Sequence, residues 1–208
     1  MRLPPGVQRR EIDGGLRLAT RGPPAGSEAT ADGWRHWDPR RSKLAAMLEA
    51  GMDLGLEPDA AVLYLGAAAG TTVSHVADVA GPTYAVEFAP RPMRDLVAVA
   101  ADRPNCFPLL KDAREPATYA HVVEPVDVLV QDVATRGQAA VALANRQFLT
   151  DEGRLLLAIK ARSEDVTRDP AAVFADVRET LESGYDVVAT ADLAPYHDDH
   201  LAVVATPA

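Results

Sequence analysis

Cysteine, lysine, long apolar runs and surplus positive charge are all scarce in this chain of 208 residues, and each scarcity excludes something. The one cysteine, Cys106, excludes an internal disulfide and any cysteine-built zinc cluster. No apolar run approaches the ~20 residues that cross a bilayer, and the proline-rich, charged N-terminal stretch does not read as a secretory signal. No membrane is therefore expected, and the cytoplasm is the expected compartment. The 21 Lys and Arg face 30 Asp and Glu, a net charge of −9. Such a balance argues against a broad basic surface for nucleic acid, so an RNA substrate would need most of its phosphate contacts from something else. Aspartate (19) well ahead of glutamate (11) also fits a salty cytoplasm, where self-repulsion is screened. Lysine is represented only by Lys43, Lys111 and Lys160, against 18 arginines. Arginine keeps its proton at any working pH, whereas a desolvated lysine can give it up. Codon or salt bias is the simpler reading of any one lysine, and it weakens if two of them face one cleft.

Two nucleotide fingerprints are missing as well. The dehydrogenase pattern G-x-G-x-x-G fails at Ala68, and the phosphate loop fails because no lysine follows Gly70. What is present, at residues 61–88, is AVLYLGAAAGTTVSHVADVAGPTYAVEF. It reads as a strand at Val62–Leu65, a turn from Gly66 to Gly70, a helix opening at Thr71 and Thr72, and a second strand ending in Glu87. A short continuous apolar run suits a strand covered on both faces, as in a parallel sheet. Two glycines let the backbone turn sharply and approach a ligand. An acid about 20 residues on, at the tip of the next strand, is where doubly wound folds hold a ribose hydroxyl pair. The combination fits a ligand with ribose and adenine but no phosphate, and S-adenosylmethionine leads the candidates. A structural β-α-β crossover that binds nothing is the alternative.

The length is that of one domain with a small appendage, and 48% apolar with 25% charged residues is the composition of a soluble globular protein. Residues 1–33 read as a β arm, a hairpin of Gln8–Ile12 and residues 16–20 around Asp13-Gly14-Gly15, followed by a loop over 22–32. Residues 34–208 form the main domain. Asp38 before Pro39 predicts a helix N-terminus, with the helix over 40–52. Lys43 near that terminus works against the helix dipole and so needs another reason to be there. Further helices are expected over 92–101, 138–148 and 171–182, the last closed by Gly184 as a C-cap. Strands are expected over 105–109, Val126–Gln131, 153–159, 187–193 and 201–205, with His197 and His200 in the last connection. The count is seven strands in a doubly wound alternation, and Gly66, Glu87, Asp112, Asp132 and Lys160 all fall at strand carboxyl ends, the edge where such sheets carry their sites.

The stretches WDPRRSKLAAML, VLYLGAAAGTTVSHVADVAG, YAVEFAPRPMRDL, LLKDAREPATY, VDVLVQDVA, LLLAIKARSEDVT and PYHDDHLAVVA lie in order from Trp34 onward. In them the chain resembles the fibrillarin family in its shorter archaeal form. The resemblance implies an α/β fold, a seven-stranded Rossmann-like class I methyltransferase sheet with a small N-terminal β appendage. It also implies S-adenosyl-L-methionine-dependent methylation of ribose 2′-hydroxyls in rRNA and tRNA within a box C/D ribonucleoprotein. The partners implied are a guide RNA, the target RNA, a Nop-domain scaffold and a kink-turn-binding protein, which would explain how an acidic enzyme acts on RNA.

For the residues, the resemblance implies a donor held after the glycine turn by Thr71 and Thr72. Glu87 and Phe88 lie on its ribose and adenine side, Asp112 and Ala113 at the adenine, and Asp132, Val133, Ala134 and Thr135 at the methionine part. It implies a Lys-Asp-Lys-His catalytic set falling on Lys43, Asp132, Lys160 and His200. A ribose hydroxyl is too weak an acid to be a good nucleophile at neutral pH, so the oxygen must be aligned and its proton removed or stabilised. Lys160, desolvated and beside Lys43, is expected to take the proton or stabilise the alkoxide. Asp132 is expected to orient the lysines, and His200 to complete the network.

The chain departs from the family pattern at Ala69 for a serine, Lys111 for a glycine, Thr135 for a glutamine with Gln138 three residues on, and His197 for an acid. The pair in His197-Asp198-Asp199-His200 is not expected to hold a metal, because residues three apart in an extended chain face opposite ways. The eukaryotic Gly/Arg-rich tail is absent. Two other functions compete: a donor-binding assembly subunit without turnover, and a stand-alone methyltransferase for tRNA or a small molecule.

Overall fold

The computed structural model describes residues 3–208. In it the run Val62–Leu65 is buried at every position, and its side chains alternate between two cores. Val62 and Tyr64 join one cluster, Leu63 and Leu65 the other. That is why the run is apolar without a break: both faces are covered. The chain runs β1 (Gln8–Ile12), β2 (Gly15–Arg21), β3 (Thr30–Ala31), β4 (Trp34–His36), α1 (Lys43–Glu49), β5 (Val62–Leu65), α2 (Thr71–Ala77), β6 (Thr83–Glu87), α3 (Pro90–Ala101) and β7 (Cys106–Leu110). It continues through β8 (Val126–Gln131), α4 (Gln138–Asn145), β9 (Leu149–Lys160), α5 (Ala161–Glu164), α6 (Pro170–Leu181), β10 (Tyr185–Asp192) and β11 (His200–Pro207). The main sheet has seven strands in the order β10-β11-β9-β8-β5-β6-β7. The strands from β9 to β7 are parallel, and β11 lies antiparallel to both β9 and β10. The order reverses between β5 and β8, and such a switch point opens a crevice outside the strands' carboxyl ends.

The N-terminal arm is a four-stranded sheet in the order β1-β2-β4-β3. Its fourth strand, Trp34–His36, comes from beyond residue 33, and the segment expected to be loop alone contributes β3. Val7, Leu18 and Trp37 join the first core cluster with α1 and α2, so this sheet shares the main core. Beneath it lies a charged network. Arg35 pairs with Glu28 at 2.6 Å and with Asp78, and Arg103 reaches Asp78 at 3.0 Å. His75 stacks on Trp37, with ring centroids 5.1 Å apart.

Helix α1 starts later than the sequence predicts. Asp38 closes a turn by accepting the Arg40 N–H at 2.9 Å, and Ser42 is the N-cap, accepting the Ala45 N–H at 3.3 Å and the Trp37 indole N–H at 2.8 Å. The helix therefore spans Lys43–Glu49 rather than 40–52. Gly184 does not cap α6 as expected; the C-cap is Glu182. A Cβ at Gly184 would sit 2.7 Å from Leu143, so glycine is there for close packing against α4. The helix expected over 138–148 ends at Asn145 and continues as a 3-10 turn, Arg146–Phe148. His200 is the first residue of β11 rather than part of the connection.

Candidate functional site

The site is built where β5 and β8 part. Gly66, with φ +86, follows β5, and a Cβ there would meet the Asp132 carbonyl at 2.3 Å. The turn thus approaches the end of β8 as only glycine permits, and the Asp132 N–H donates to the Leu65 carbonyl at 2.9 Å. Gly70, φ +85, leads into α2, and a Cβ there would press on Leu96 at 2.9 Å. Between the two glycines the Ala68 N–H donates to Glu87 Oε2 at 2.9 Å, and the other carboxylate oxygen accepts the Ala89 N–H at 2.8 Å. Glu87 therefore ties the glycine turn to the tip of β6.

A cavity of about 320 Å³ opens at these ends. Of the residues predicted to hold a ligand, Gly66, Glu87, Phe88, Asp112, Ala113, Asp132, Val133, Ala134 and Thr135 line it, joined by Ala68, Val86, Lys111, Arg114 and Val141. Phe88 is 69% exposed at its mouth. Asp112 is held by Arg114 Nε at 3.0 Å, and this pairing keeps its carboxyl below the ordinary carboxylate range. Gly70, Thr71 and Thr72 do not line the cavity. Thr71 faces a smaller pocket of about 90 Å³ beside Trp37, Ser42 and His75. Thr72 lies near the buried Tyr64 hydroxyl, whose pKa is raised by burial and by the charge of Asp132.

Asp132 is shared between the cavity and a second group of side chains. Its Oδ2 lies 3.0 Å from Lys43 Nζ, which supplies the reason for a lysine at the N-terminus of α1. Each side chain is about a quarter exposed, 26% for Lys43 and 25% for Asp132. Lys160 and His200 are direct partners in the β9–β11 ladder, at the open end of the sheet. His200 Nδ1 lies 2.6 Å from the Asp198 carbonyl, which can only accept, so Nδ1 carries the proton and the neutral ring offers Nε2 as an acceptor. Burial lowers the His200 pKa, and the charges of Lys43 and Lys160 act in the same direction against that of Asp132. The predicted set thus falls in two pairs, Lys43 with Asp132 and Lys160 with His200, and the charges of the first pair act on the His200 ring.

Two neighbours that the sequence marks only as departures from the family pattern take defined places. Gln138, fully buried, accepts the Lys160 N–H at 2.9 Å and donates to the Lys160 carbonyl at 3.1 Å, so it fixes the lysine's main chain rather than touching the cavity. His197 does not face away from His200: the connection is a turn, and the two rings lie 5.6 Å apart. Burial lowers the His197 pKa, with Lys43 next in effect. Among the described residues no three histidine, cysteine, aspartate or glutamate side chains converge as a metal site would require. Lys111 and Arg114 flank Asp112 in sequence, the one local signal by which these two cavity residues could have been found. No helix of the described residues is long and apolar enough to cross a membrane.

The family described as Fibrillarin matches residues 25–208. Over the whole chain and the whole of the relative, the sequence is 68% identical to the fibrillarin-like rRNA/tRNA 2′-O-methyltransferase of Halobacterium salinarum. Among solved structures, the fold superposes with a TM-score of 0.92 on a crystal structure of a fibrillarin/Nop5p complex, at 40% identity and covering 100% of both chains. It superposes at 0.87 on Aeropyrum pernix fibrillarin in complex with natively bound S-adenosyl-L-methionine, at 44% identity, covering 97% of this chain and 94% of that one.

Proposed function

The chain belongs to the fibrillarin family, and from that premise we propose that it methylates ribose 2′-hydroxyls of rRNA and tRNA with S-adenosylmethionine, as the catalytic subunit of a cytoplasmic guide ribonucleoprotein. The observation that carries this reading is the position of Asp132, which lines the cavity and pairs with Lys43 at 3.0 Å.

The cavity suits the donor. Its volume of about 320 Å³ lies at the lower end of the range of small-molecule sites, roughly 300–1,000 Å³. Val86, Phe88, Ala113 and Val141 offer apolar walls for a base, and Glu87 and Asp112 offer carboxylates. Glu87 uses one lone pair on each oxygen for a backbone N–H and keeps others for ribose hydroxyls. Asp132, Val133, Ala134 and Thr135 would meet the methionine part. When bound, the donor supplies a methyl group already activated on a sulfonium.

The protein's part is to position the ribose oxygen and manage its proton. Asp132 orients Lys43 and offsets its charge. Gln138 holds the Lys160 main chain, so that the amine reaches the oxygen from the sheet edge. Lys160 takes the proton or stabilises the alkoxide, and His200, with Nδ1–H committed to Asp198, presents Nε2 to the same network. A Nop-domain scaffold, a kink-turn-binding protein and a guide RNA choose the target.

The test is methyl transfer from labelled S-adenosylmethionine to a guide-matched RNA, with and without scaffold, kink-turn protein and guide. Transfer only with the full set, abolished in Lys160→Ala, is the expected result. Donor binding with no transfer under any combination would contradict it, and so would transfer by the chain alone.

A further inference from the structure

A net charge of −9 excludes a broad basic surface, but the outer face of the N-terminal sheet is a local exception. Arg10 and Arg17 are direct partners in the β1–β2 ladder, and Arg21 is the partner of Trp34 in β2–β4. The Arg10 guanidinium lies 4.5 Å over the Trp34 ring. All three arginines are exposed, as is Arg40 nearby. Among the described residues none of these four makes an ion pair. Like charges directly opposite one another weaken a sheet, so the fold itself gains nothing from the Arg10–Arg17 pair.

This face borders a groove that reaches the connection before β11. The groove, of about 280 Å³, is lined by Arg17, His36, Arg40 and Tyr196. Its two acids are engaged within the groove: Asp38 accepts the Arg40 main-chain N–H at 2.9 Å, and Glu49 holds Arg9, which also lines the groove, at 2.7 and 3.0 Å. Tyr196 is followed by His197, whose ring lies 5.6 Å from that of His200.

We propose that the arginine face and this groove are the track for the phosphodiester backbone of the RNA duplex that carries the target ribose. Arg10, Arg17, Arg21 and Arg40 bind successive phosphates and set the register of the ribose at Lys160. The proposal rests on reading the site as an RNA ribose methyltransferase. Charge complementarity selects a polyanion, and the position of Tyr196 at the groove, one residue before the His197 that neighbours His200, selects the substrate strand. Hydrogen bonds to phosphate fix register without reading sequence, which suits an enzyme whose target is chosen by a guide.

The test measures binding of the full chain to a fluorescently labelled short RNA duplex of arbitrary sequence, by anisotropy across KCl concentrations at which circular dichroism shows it folded. In the Arg10→Ser/Arg17→Ser variant the slope of log K against log salt should fall by roughly two, about one for each phosphate left without its arginine. Arg168→Ser, at an arginine paired with Asp176 on α6, should leave it unchanged. In the assembled particle the double variant should show KM for the target RNA raised about 10-fold or more, as expected when two phosphates are no longer neutralised, with kcat retained. An unchanged slope, or failure to bind the scaffold with RNA binding intact, would overturn the track. Binding is read without turnover, so RNA binding through this face with no methyl transfer would sink the proposed function and leave the track standing.

Discussion

Two cation–carboxylate groups, one at the end of α2 and one at the start of α1, differ in what surrounds them. Under the N-terminal sheet, Arg35, Asp78 and Arg103 have side chains exposed by only 1%, 4% and 3%. Their bonds are also shared with Ser74, Glu28 and main-chain carbonyls. At the sheet's carboxyl edge, Lys43 and Asp132 keep about a quarter of their side chains open and border the cavity. The same chemistry acts as a lock where every charge is desolvated and paired, and as a site where one side is left for a substrate. Removing one partner should therefore cost stability in the first group and rate in the second.

The largest stability effect expected is that of Asp78→Ala, which leaves Arg35 and Arg103 buried without their shared partner. Breaking a buried pair in this way costs about 3–5 kcal/mol, read as a lowered midpoint in denaturant unfolding. A loss below about 1 kcal/mol would mean the buried group is no lock.

Next comes a pH dependence from His75 in the same seam. Burial holds its pKa well below the ordinary 6.5, with Arg35 and Arg103 acting the same way. Below pH 6.5 the unfolded chain takes up a proton that folded His75 refuses, so stability falls as pH falls and is unaffected above. The slope is up to about 1.4 kcal/mol per pH unit for one such site. His75→Gln should flatten the unfolding profile between pH 5 and 6.5 relative to wild type, whereas parallel profiles would show that the ring titrates in the folded protein.

The smallest stability effect belongs to Asp132→Asn, because a partly exposed pair contributes no more than about 1 kcal/mol. Methyl transfer should nevertheless fall by about 100-fold or more. A variant destabilised like Asp78→Ala would erase the distinction between the two groups.

How much of this was legible in the residues follows from range. The strands Val62–Leu65 and Val126–Gln131, the Gly66–Gly70 turn and the acids at strand ends are local patterns and stand where the sequence puts them, whereas the strand expected over 153–159 begins four residues earlier, at Leu149. The start of α1 was misplaced because Asp38-Pro39 makes a turn of its own, and the true cap, Ser42, is held by the Trp37 indole. Gly184 carries the local signal of a cap, but its reason is Leu143, some forty residues back in the chain. The buried network was invisible because Arg35 and Asp78 are 43 residues apart and meet only when the N-terminal sheet folds onto α2. Thr71 and Thr72 open their helix as the sequence predicts, and Thr71 borders the smaller pocket beside Trp37, a neighbour 34 residues back in the chain.

The central claim is that a lysine at the end of β9 handles the ribose proton. Its most direct test is single-turnover methyl transfer by Lys160→Arg in the full particle, at saturating donor and RNA. Arginine keeps the charge but cannot give up its proton, so transfer should fall by about 10²–10⁴-fold while donor binding stays at the wild-type level. Turnover equal to wild type would contradict the account and leave Lys160 as a fixed charge.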